Sequence, residues 1–285
     1  MIVDTPLRSY LYVPGDRPEL FDKAAASEAD AVVLDLEDAV ATGSKDAARA
    51  RVIEELEQPR PIPRFVRINP IGSTYGAEDV RALGDLELAG VWLPKTSSIE
   101  TIRTVASWLD EQMSPARLHL LLEDALGVER ALELSTASAR VRSLGLGETD
   151  LAADLGVSDS AGLAYARGRT VVAARAAGLL PPVQSVYTRL DDEAGLTAST
   201  KLGRRLGFVG RGAIHPSQLA TINAAYTPDH DEIARAEELL AFAGKAEQDG
   251  TGTYVTEDGQ FIDQAVVRGA ERLLALAGRP GRITT

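Results

Sequence analysis

Residues 31–38 read AVVLDLED, a run apolar at nearly every position that ends on two carboxylates, Glu37 and Asp38. A strand with one wet face alternates apolar and polar residues. A run that is apolar on both faces fits a parallel strand covered on both sides. The same reading applies at Ser9–Val13 (SYLYV), Arg64–Ile68 (RFVRI), Gly90–Leu93 (GVWL) and Leu118–Leu122 (LHLLL). It continues at Val141–Leu146 (VRSLGL), Val183–Tyr187 (VQSVY) and Phe208–Ile214 (FVGRGAI), so eight strands are expected. Between them, helical patterns cover Arg17–Glu28, Ser44–Glu57 with Ser44 as its cap, Ser97–Gln112, Ser160–Ala177 and Glu193–Leu206. Eight βα repeats in about 225 residues predict a TIM (β/α)8 barrel over residues 1–226. A doubly wound sheet is the rival, but it normally shows fewer repeats and a nucleotide fingerprint.

Beyond Pro216 the pattern changes. Asp229–Ala246 reads as a long helix, and Gly250-Thr-Gly-Thr253 opens a flexible stretch. Tyr254-Val-Thr256 and Gln260-Phe-Ile262 flank Glu257-Asp-Gly259, a hairpin signal. Asp263 then caps a last helix with Val266, Val267, Ala270, Leu273 and Leu274 on one face. Residues 227–285 are therefore expected to form a helix–hairpin–helix lid over an active site or a neighbouring subunit.

Composition narrows the chemistry. The 285 residues carry 42 Asp+Glu against 30 Lys+Arg, a net charge of −12, with no cysteine and three histidines, His119, His215 and His230. Iron–sulfur clusters, zinc fingers, disulfides and thiol nucleophiles all need cysteine. A pI of about 4.8 argues against a nucleic-acid partner, which would ask for clustered basic residues. A metal here is expected to be a hard cation held by carboxylates. No stretch reaches the length of about 18 uncharged apolar residues that a membrane helix needs. Met1-Ile-Val-Asp4 does not open a signal peptide, so a cytoplasmic protein with no membrane partner is expected.

The strand ends are polar for positions beside a packed core. Charged residues 37, 67, 95, 123 and 150 follow one another at intervals of 30, 28, 28 and 27, one per βα unit. Glu123 and Asp150 each follow a long apolar run and are the candidate metal ligands; the alternative is pairing with a neighbouring Arg or Lys. Arg67 either binds a carboxylate or developing enolate oxygen or pairs with Glu37 or Asp38. Lys95 either serves as a Schiff-base lysine or pairs within the acidic rim. His215 in Ile214-His-Pro216 is a candidate base or a backbone-bonded ring, and Asp263 a catalytic group or a cap. Gly145-Leu-Gly147 is not GxGxxG, Gly244-Lys245 lacks the Walker A spacing, and no G-x-S-x-G elbow occurs.

Together these motifs resemble the citrate lyase β-subunit-like branch of the HpcH/HpaI aldolase superfamily, which includes malyl-CoA and citramalyl-CoA lyases. The resemblance rests on Leu11-Tyr-Val-Pro-Gly-Asp-Arg17, Asp35-Leu-Glu-Asp-Ala-Val40, Val66-Arg-Ile-Asn69, Leu93-Pro-Lys95, and Leu122-Glu123 with Gly127. It continues through Leu146-Gly-Glu-Thr-Asp150, Ile214-His-Pro-Ser-Gln218 and Gly259-Gln-Phe-Ile-Asp263, nearly the whole chain. It implies a lid exchanged within a homotrimer or hexamer, with Glu123 and Asp150 holding Mg²⁺ (Mn²⁺ as an alternative). It also implies Arg67 on the thioester or acid oxygen, and Glu37 and Asp38 around the metal's waters. Tyr12, Arg17, Lys23 and the backbone at Ile214-His215 would hold coenzyme A, and Asp263 would be the acid/base.

The reaction implied is Mg²⁺-dependent carbon–carbon cleavage of a 3-hydroxyacyl thioester to a 2-oxo acid and an acetyl thioester. Thioester hydrolysis, a citrate lyase subunit acting on an acyl-carrier-protein thioester, and a non-catalytic acyl-CoA scaffold are the alternatives. Two departures bear on which acyl group is accepted: Asp124 stands where the family usually has Thr or Ser, and Gln184 where many members have Asp.

Overall fold

The computed structural model describes residues 5–248, 254–255 and 261–278, and the chain divides into two compact units, 1–226 and 227–285. The first is an α/β unit. Its strands are β1 (Ser9–Pro14), β2 (Ala31–Asp35), β3 (Arg64–Arg67), β4 (Gly90–Leu93), β5 (Arg117–Leu122), β6 (Val141–Leu146) and β7 (Arg211–Ala213). They form one parallel sheet in the order β6-β5-β4-β3-β2-β1-β7. Its helices are α1 (Phe21–Ala25), α2 (Lys45–Glu57), α3 (Gly76–Leu83), α4 (Ile99–Glu111), α5 (Ala125–Glu129) and α6 (Ala131–Ser135). They continue with α7 (Glu148–Leu155), α8 (Ala164–Ala176), α9 (Glu193–Leu206) and α10 (Leu219–Tyr226).

The sheet curls, and its two edge strands are bridged by the segment expected as a strand at Val183–Tyr187. That expectation is corrected: only Val183 and Gln184 pair, through single bridges to Gly145 of β6 and Arg211 of β7. Pro181 and Pro182, just before, have no N–H to donate. The pairing that remains is Val183 N to Leu144 O, Gln184 N to Gly210 O and Gly212 N to Gln184 O, each 2.9–3.1 Å. The strand expected over Phe208–Ile214 shortens to Arg211–Ala213, because Gly210 takes φ +86 and passes so close to the Leu7 carbonyl that no side chain would fit.

Several helices also differ from their sequence reading. Arg17–Glu28 is a 3₁₀ turn at Pro18–Leu20 followed by the short α1. Ser44 is itself in helical conformation and its side chain caps nothing, so the expected cap is absent. Ser98 does cap α4, accepting from Thr101 N, and Asp159 caps the 3₁₀ turn before α8. Helices α3, α5, α6, α7 and α10 are too short for periodicity to reveal.

Strand alternation sorts the apolar residues into two layers. Val32, Leu34, Val66, Leu118, Leu120 and Leu144 pack outward against the helices. Tyr10, Val33, Phe65, Trp92, Leu121 and Val183 fill the inside of the curl. There Tyr10 meets Phe65 and Trp92 edge-on, with centroids 5.6 and 5.9 Å apart. His119 continues this plug, its Nδ1 2.6 Å from Ser143 Oγ and its ring 5.0 Å from those of Phe65 and Trp92.

In the second unit α11 (His230–Gln248) packs with α12 (Gln264–Ala277), and β8 (Tyr254–Val255) pairs antiparallel with β9 (Phe261–Ile262). Gly250-Thr-Gly-Thr253 and the expected turn Glu257-Asp-Gly259 lie outside the described residues. Among the described residues no helix is long and apolar enough to cross a membrane.

Burial pushes the His119 imidazole down to about 3, so it is neutral in the folded protein across the working pH range. In the unfolded chain it takes up a proton near pH 6.5. Between those values the unfolded state binds the extra proton, so stability falls as pH falls, by about 1.4 kcal/mol per pH unit from this group. His119→Gln is expected to be less stable at pH 7, with a shallower loss between pH 6 and 4 in urea titrations. An unchanged slope would contradict that burial.

Candidate active site

Two residues further along each strand, the inward positions become polar. Tyr12 follows Tyr10, Asp35 follows Val33, Arg67 follows Phe65, and Glu123 follows Leu121, so the aromatic plug is the floor of a polar cavity. The cavity encloses about 380 Å³ and is lined on its polar side by Tyr12, Asp35, Asp38, Arg67, Glu123 and Asp150. It opens at the C-terminal ends of the strands, where barrel enzymes place their chemistry.

Arg67 organises one wall. Its Nε and Nη2 donate to the two oxygens of Asp35 at 2.7 and 2.6 Å, a bidentate pair with Asp35 only 1% exposed. Nη1 lies 3.1 Å from Glu37 and 3.4 Å from Asp38, and the guanidinium sits 5.2 Å from the centre of the Tyr12 ring. Burial works against the charged guanidinium, but the hydrogen bonds and charge of Asp35 outweigh it and raise its pKa further. Asp35 also accepts from Glu37 N and Ala39 N, and Lys45 Nζ donates to the carbonyls of Leu36 and Glu37 at 2.8 and 2.6 Å. Both side chains pin the turn that carries Glu37 and Asp38.

Glu123 forms the opposite wall. One oxygen accepts from Lys95 N at 2.7 Å, and Lys95 adopts φ +49, an unusual conformation for a lysine. Gly147 makes room for the carboxylate: a Cβ there would lie 2.5 Å from Glu123 Cγ. Burial raises the Glu123 carboxyl to about 7; the Lys95 amide opposes this, and the negative charge of Asp150 adds to it. Glu37 is pushed up to about 8 by burial, against the pull of Arg67, with Glu123 and Asp38 adding repulsion. Lys95 Nζ lies 3.5 Å from Glu37, so its side chain pairs within the acidic rim.

Among the described residues, Asp35, Glu37, Asp38, Glu123 and Asp150 thus gather around Arg67 and Lys95, with Lys45 held behind the turn by backbone carbonyls. This donor set fits a hard divalent cation: the charge of Asp150 adds to the cost of ionising Glu123, and a cation between carboxylates relieves it. Among the described residues no three His, Asp or Glu form a ready-made metal cluster. Two carboxylates would leave positions open to water and substrate oxygens.

Residues 8–216 match the family described as HpcH/HpaI aldolase/citrate lyase. The chain belongs to this family. It is 32% identical over 282 residues to citrate lyase subunit beta of Leuconostoc mesenteroides subsp. cremoris, covering 95% of this chain and 93% of that one. It is 35% identical over 277 residues to a (3S)-malyl-CoA thioesterase of Cereibacter sphaeroides, covering 95% of each. Among solved structures, protein CitE from Mycobacterium tuberculosis in complex with magnesium, acetoacetate and coenzyme A superposes with a TM-score of 0.80 at 34% identity, covering 96% of this chain and 98% of that one.

Most of the other expected residues of this HpcH/HpaI chain lie elsewhere. Ile214 lines the cavity, whereas His215 is exposed and its Nδ1 contacts Ser217 Oγ at 2.8 Å. Arg17 is exposed and paired with Glu19, and Lys23 is exposed on α1. Asp263 caps α12 in the second unit, accepting from Ala265 N and Val266 N. Asp124 caps α5, accepting from Gly127 N at 2.6 Å, a task that Ser and Thr also perform. Gln184 bridges Ser199 O and Tyr226 Oη. The sequence reading missed Asp35 as the partner of Arg67, although it lies in the quoted AVVLDLED; counting back by two from Glu37 along an inward face would have found it. Lys45 and Gly147 left no signal of this kind.

Gly147→Ala is expected to displace Glu123 and lower divalent-cation affinity by roughly tenfold or more, read by calorimetry with Mg²⁺. Asp124→Ala should cost about 1 kcal/mol in denaturant titrations, and Asp124→Thr should recover most of it. Equal losses in both would remove the capping role.

Proposed function

We propose that this chain is a Mg²⁺-dependent carbon–carbon lyase that cleaves a 3-hydroxyacyl-CoA thioester of the malyl, citramalyl or citryl type into a 2-oxo acid and acetyl-CoA. The observation that carries the reading is the convergence of Glu123, Asp150 and Arg67 on one cavity floored by aromatic rings. Family membership and the resemblance to a lyase subunit and a malyl-CoA thioesterase support it. Glu123 and Asp150 would hold the cation, which when bound supplies a Lewis acid for the substrate's hydroxyl and adjacent carboxylate.

Cleavage releases the hydroxyl proton to water, breaks the C2–C3 bond, turns the hydroxyl-bearing carbon into the carbonyl of a 2-oxo acid, and leaves the bonding pair on the thioester's α-carbon, which takes up a proton in turn. Arg67, held by Asp35, presents fixed positive charge to the developing enolate oxygen without moving at the moment of reaction. The aromatic floor keeps that side of the cavity dry. Asp263 would protonate the enolate carbon, or abstract that proton in the condensation direction. Its Oδ1 is committed to capping, while Oδ2 makes no hydrogen bond with the described residues. In this reading residues 227–285 form a lid exchanged within a trimer or hexamer, acting on coenzyme A or acyl-carrier-protein thioesters. Tyr12, Arg17, Lys23 and the Ile214-His215 backbone hold the nucleotide. A cytoplasmic location completes the proposal.

Thioester hydrolysis is the second reading, favoured by the 35% identity to a malyl-CoA thioesterase. Malyl-, citramalyl-, methylmalyl- and citryl-CoA, each incubated with Mg²⁺, separate the two: a 2-oxo acid with acetyl-CoA (propionyl-CoA from methylmalyl-CoA) means cleavage, and a free hydroxy acid means hydrolysis. Glu123→Ala and Asp150→Ala are expected to lose activity by roughly 10³-fold. Wild-type turnover in either would overturn the metal assignment. Asp263→Ala subunits mixed with Arg67→Ala subunits should regain activity if the lid is exchanged; inactive mixed oligomers would refute exchange.

A further inference from the structure

Beside the active cavity lies a second one of about 630 Å³, lined by α7, α9, the turn at Ser160–Leu163 and residues 184–188. Arg211 of β7 forms part of its wall and is only 3% exposed. Its Nη1 donates to Ser199 Oγ at 3.1 Å and Thr200 Oγ1 at 2.9 Å, and its guanidinium lies 5.3 Å from the centre of the Tyr187 ring. Nε is buried and makes no hydrogen bond, and no described carboxylate lies within ion-pair distance. Glu148 shares this wall, but both of its oxygens are taken by Arg167 at 2.9 and 2.6 Å. Gln184, the bridge partner of Arg211, is neutral and already committed to Ser199 O and Tyr226 Oη.

Burial lowers the Arg211 guanidinium to about 10, which leaves it charged at neutral pH. A buried cation without an anion is costly, whereas a buried pair with good hydrogen bonds recovers the loss. Arg67 shows the contrast within the same chain: though more exposed than Arg211, it has a bidentate partner in Asp35. The remaining wall of the second cavity is mixed, with Leu163, Leu202, Leu206 and Phe208 facing it beside serine and threonine hydroxyls, the Arg205 side chain and Asp159, whose carboxylate accepts from Ala161 N.

We propose that this cavity is a binding site for a small monocarboxylate, its carboxylate on Arg211 and its apolar body against Leu163, Leu202 and Phe208. Of the guanidinium groups that line it, Arg167 is paired with Glu148, whereas the buried Arg211 offers the fork that a carboxylate matches. Thr149, Gln184, Ser185 and Val186 line this cavity and the active one alike, and Ser185 Oγ accepts from Glu148 N at 3.2 Å at the start of the helix that carries Asp150. The site therefore adjoins the catalytic cavity without using its residues Arg67 or Glu123, and it stands whether or not the lyase reading holds.

Butyrate and benzoate titrated calorimetrically into the full-length protein, with inorganic phosphate as comparison, test the proposal. Saturable carboxylate binding is expected in the wild type and in Arg67→Met, weakened roughly tenfold or more in Arg211→Gln. Ser199→Glu places a carboxylate beside Nη1, so it should abolish binding and raise the melting temperature of the ligand-free protein; it decides the matter if Arg211→Gln does not fold. Absence of saturation in the millimolar range, loss of binding in Arg67→Met, phosphate binding as tight as carboxylate, or retained binding in Ser199→Glu would each overturn it.

Discussion

The pair between Asp35 and Arg67 is the interaction on which the active cavity depends. Two strands that are neighbours in the sheet carry them in register, Asp35 opposite Arg67, so the bidentate contact needs no long reach. Once made, it fixes Arg67 in the cavity wall and leaves a guanidinium edge for Glu37, Asp38 and the Tyr12 ring. It also ties the turn after β2, because Asp35 accepts two backbone amides of that turn. Removing one member of such a pair leaves an uncompensated buried charge, a cost of about 3–5 kcal/mol.

Around that pair the cavity is built by a period of two. Inward positions near the start of the strands are aromatic and those near the ends are polar, so one geometric rule produces both a dry floor and a charged rim. Carboxylates outnumber cations at the rim, and Glu37 and Glu123 hold their protons to near-neutral pH because of burial first, with Arg67 and the Lys95 amide opposing it and neighbouring carboxylates adding to it. A divalent cation placed between them would relieve that repulsion. The same architecture leaves Arg211 buried on the far side of the 183–187 segment, with hydroxyls in place of an acid.

Much of this was legible in the chain. The continuous apolar runs placed six strands within a residue or two, and the even spacing of charged strand ends singled out Glu37, Arg67, Lys95, Glu123 and Asp150. The ion-pair alternatives for Arg67 and Lys95 both occur. They do not compete with a site role, since a guanidinium held by Asp35 is thereby aimed. The seventh strand failed because an apolar composition cannot overrule two prolines that lack donors. Ser44 was misjudged because a preceding 3₁₀ turn puts it inside the helical path, a local geometry that a cap preference does not encode.

By itself the sequence determined the strand-and-helix alternation, the absence of thiol and histidine-cluster chemistry, and which residues stand at strand ends. Those are properties of neighbouring residues along one chain, where the period of the side chains and the composition suffice. Only the tertiary structure decided that Asp35 makes the bidentate pair with Arg67, that Gly147 vacates the space Glu123 fills, and that Arg211 is buried without an acid. Each depends on which strand lies beside which and how far apart their side chains end, distances of about 3 Å set by sheet register between segments some 30 residues apart. No local pattern carries that information, because hydrogen bonds and burial are made between elements.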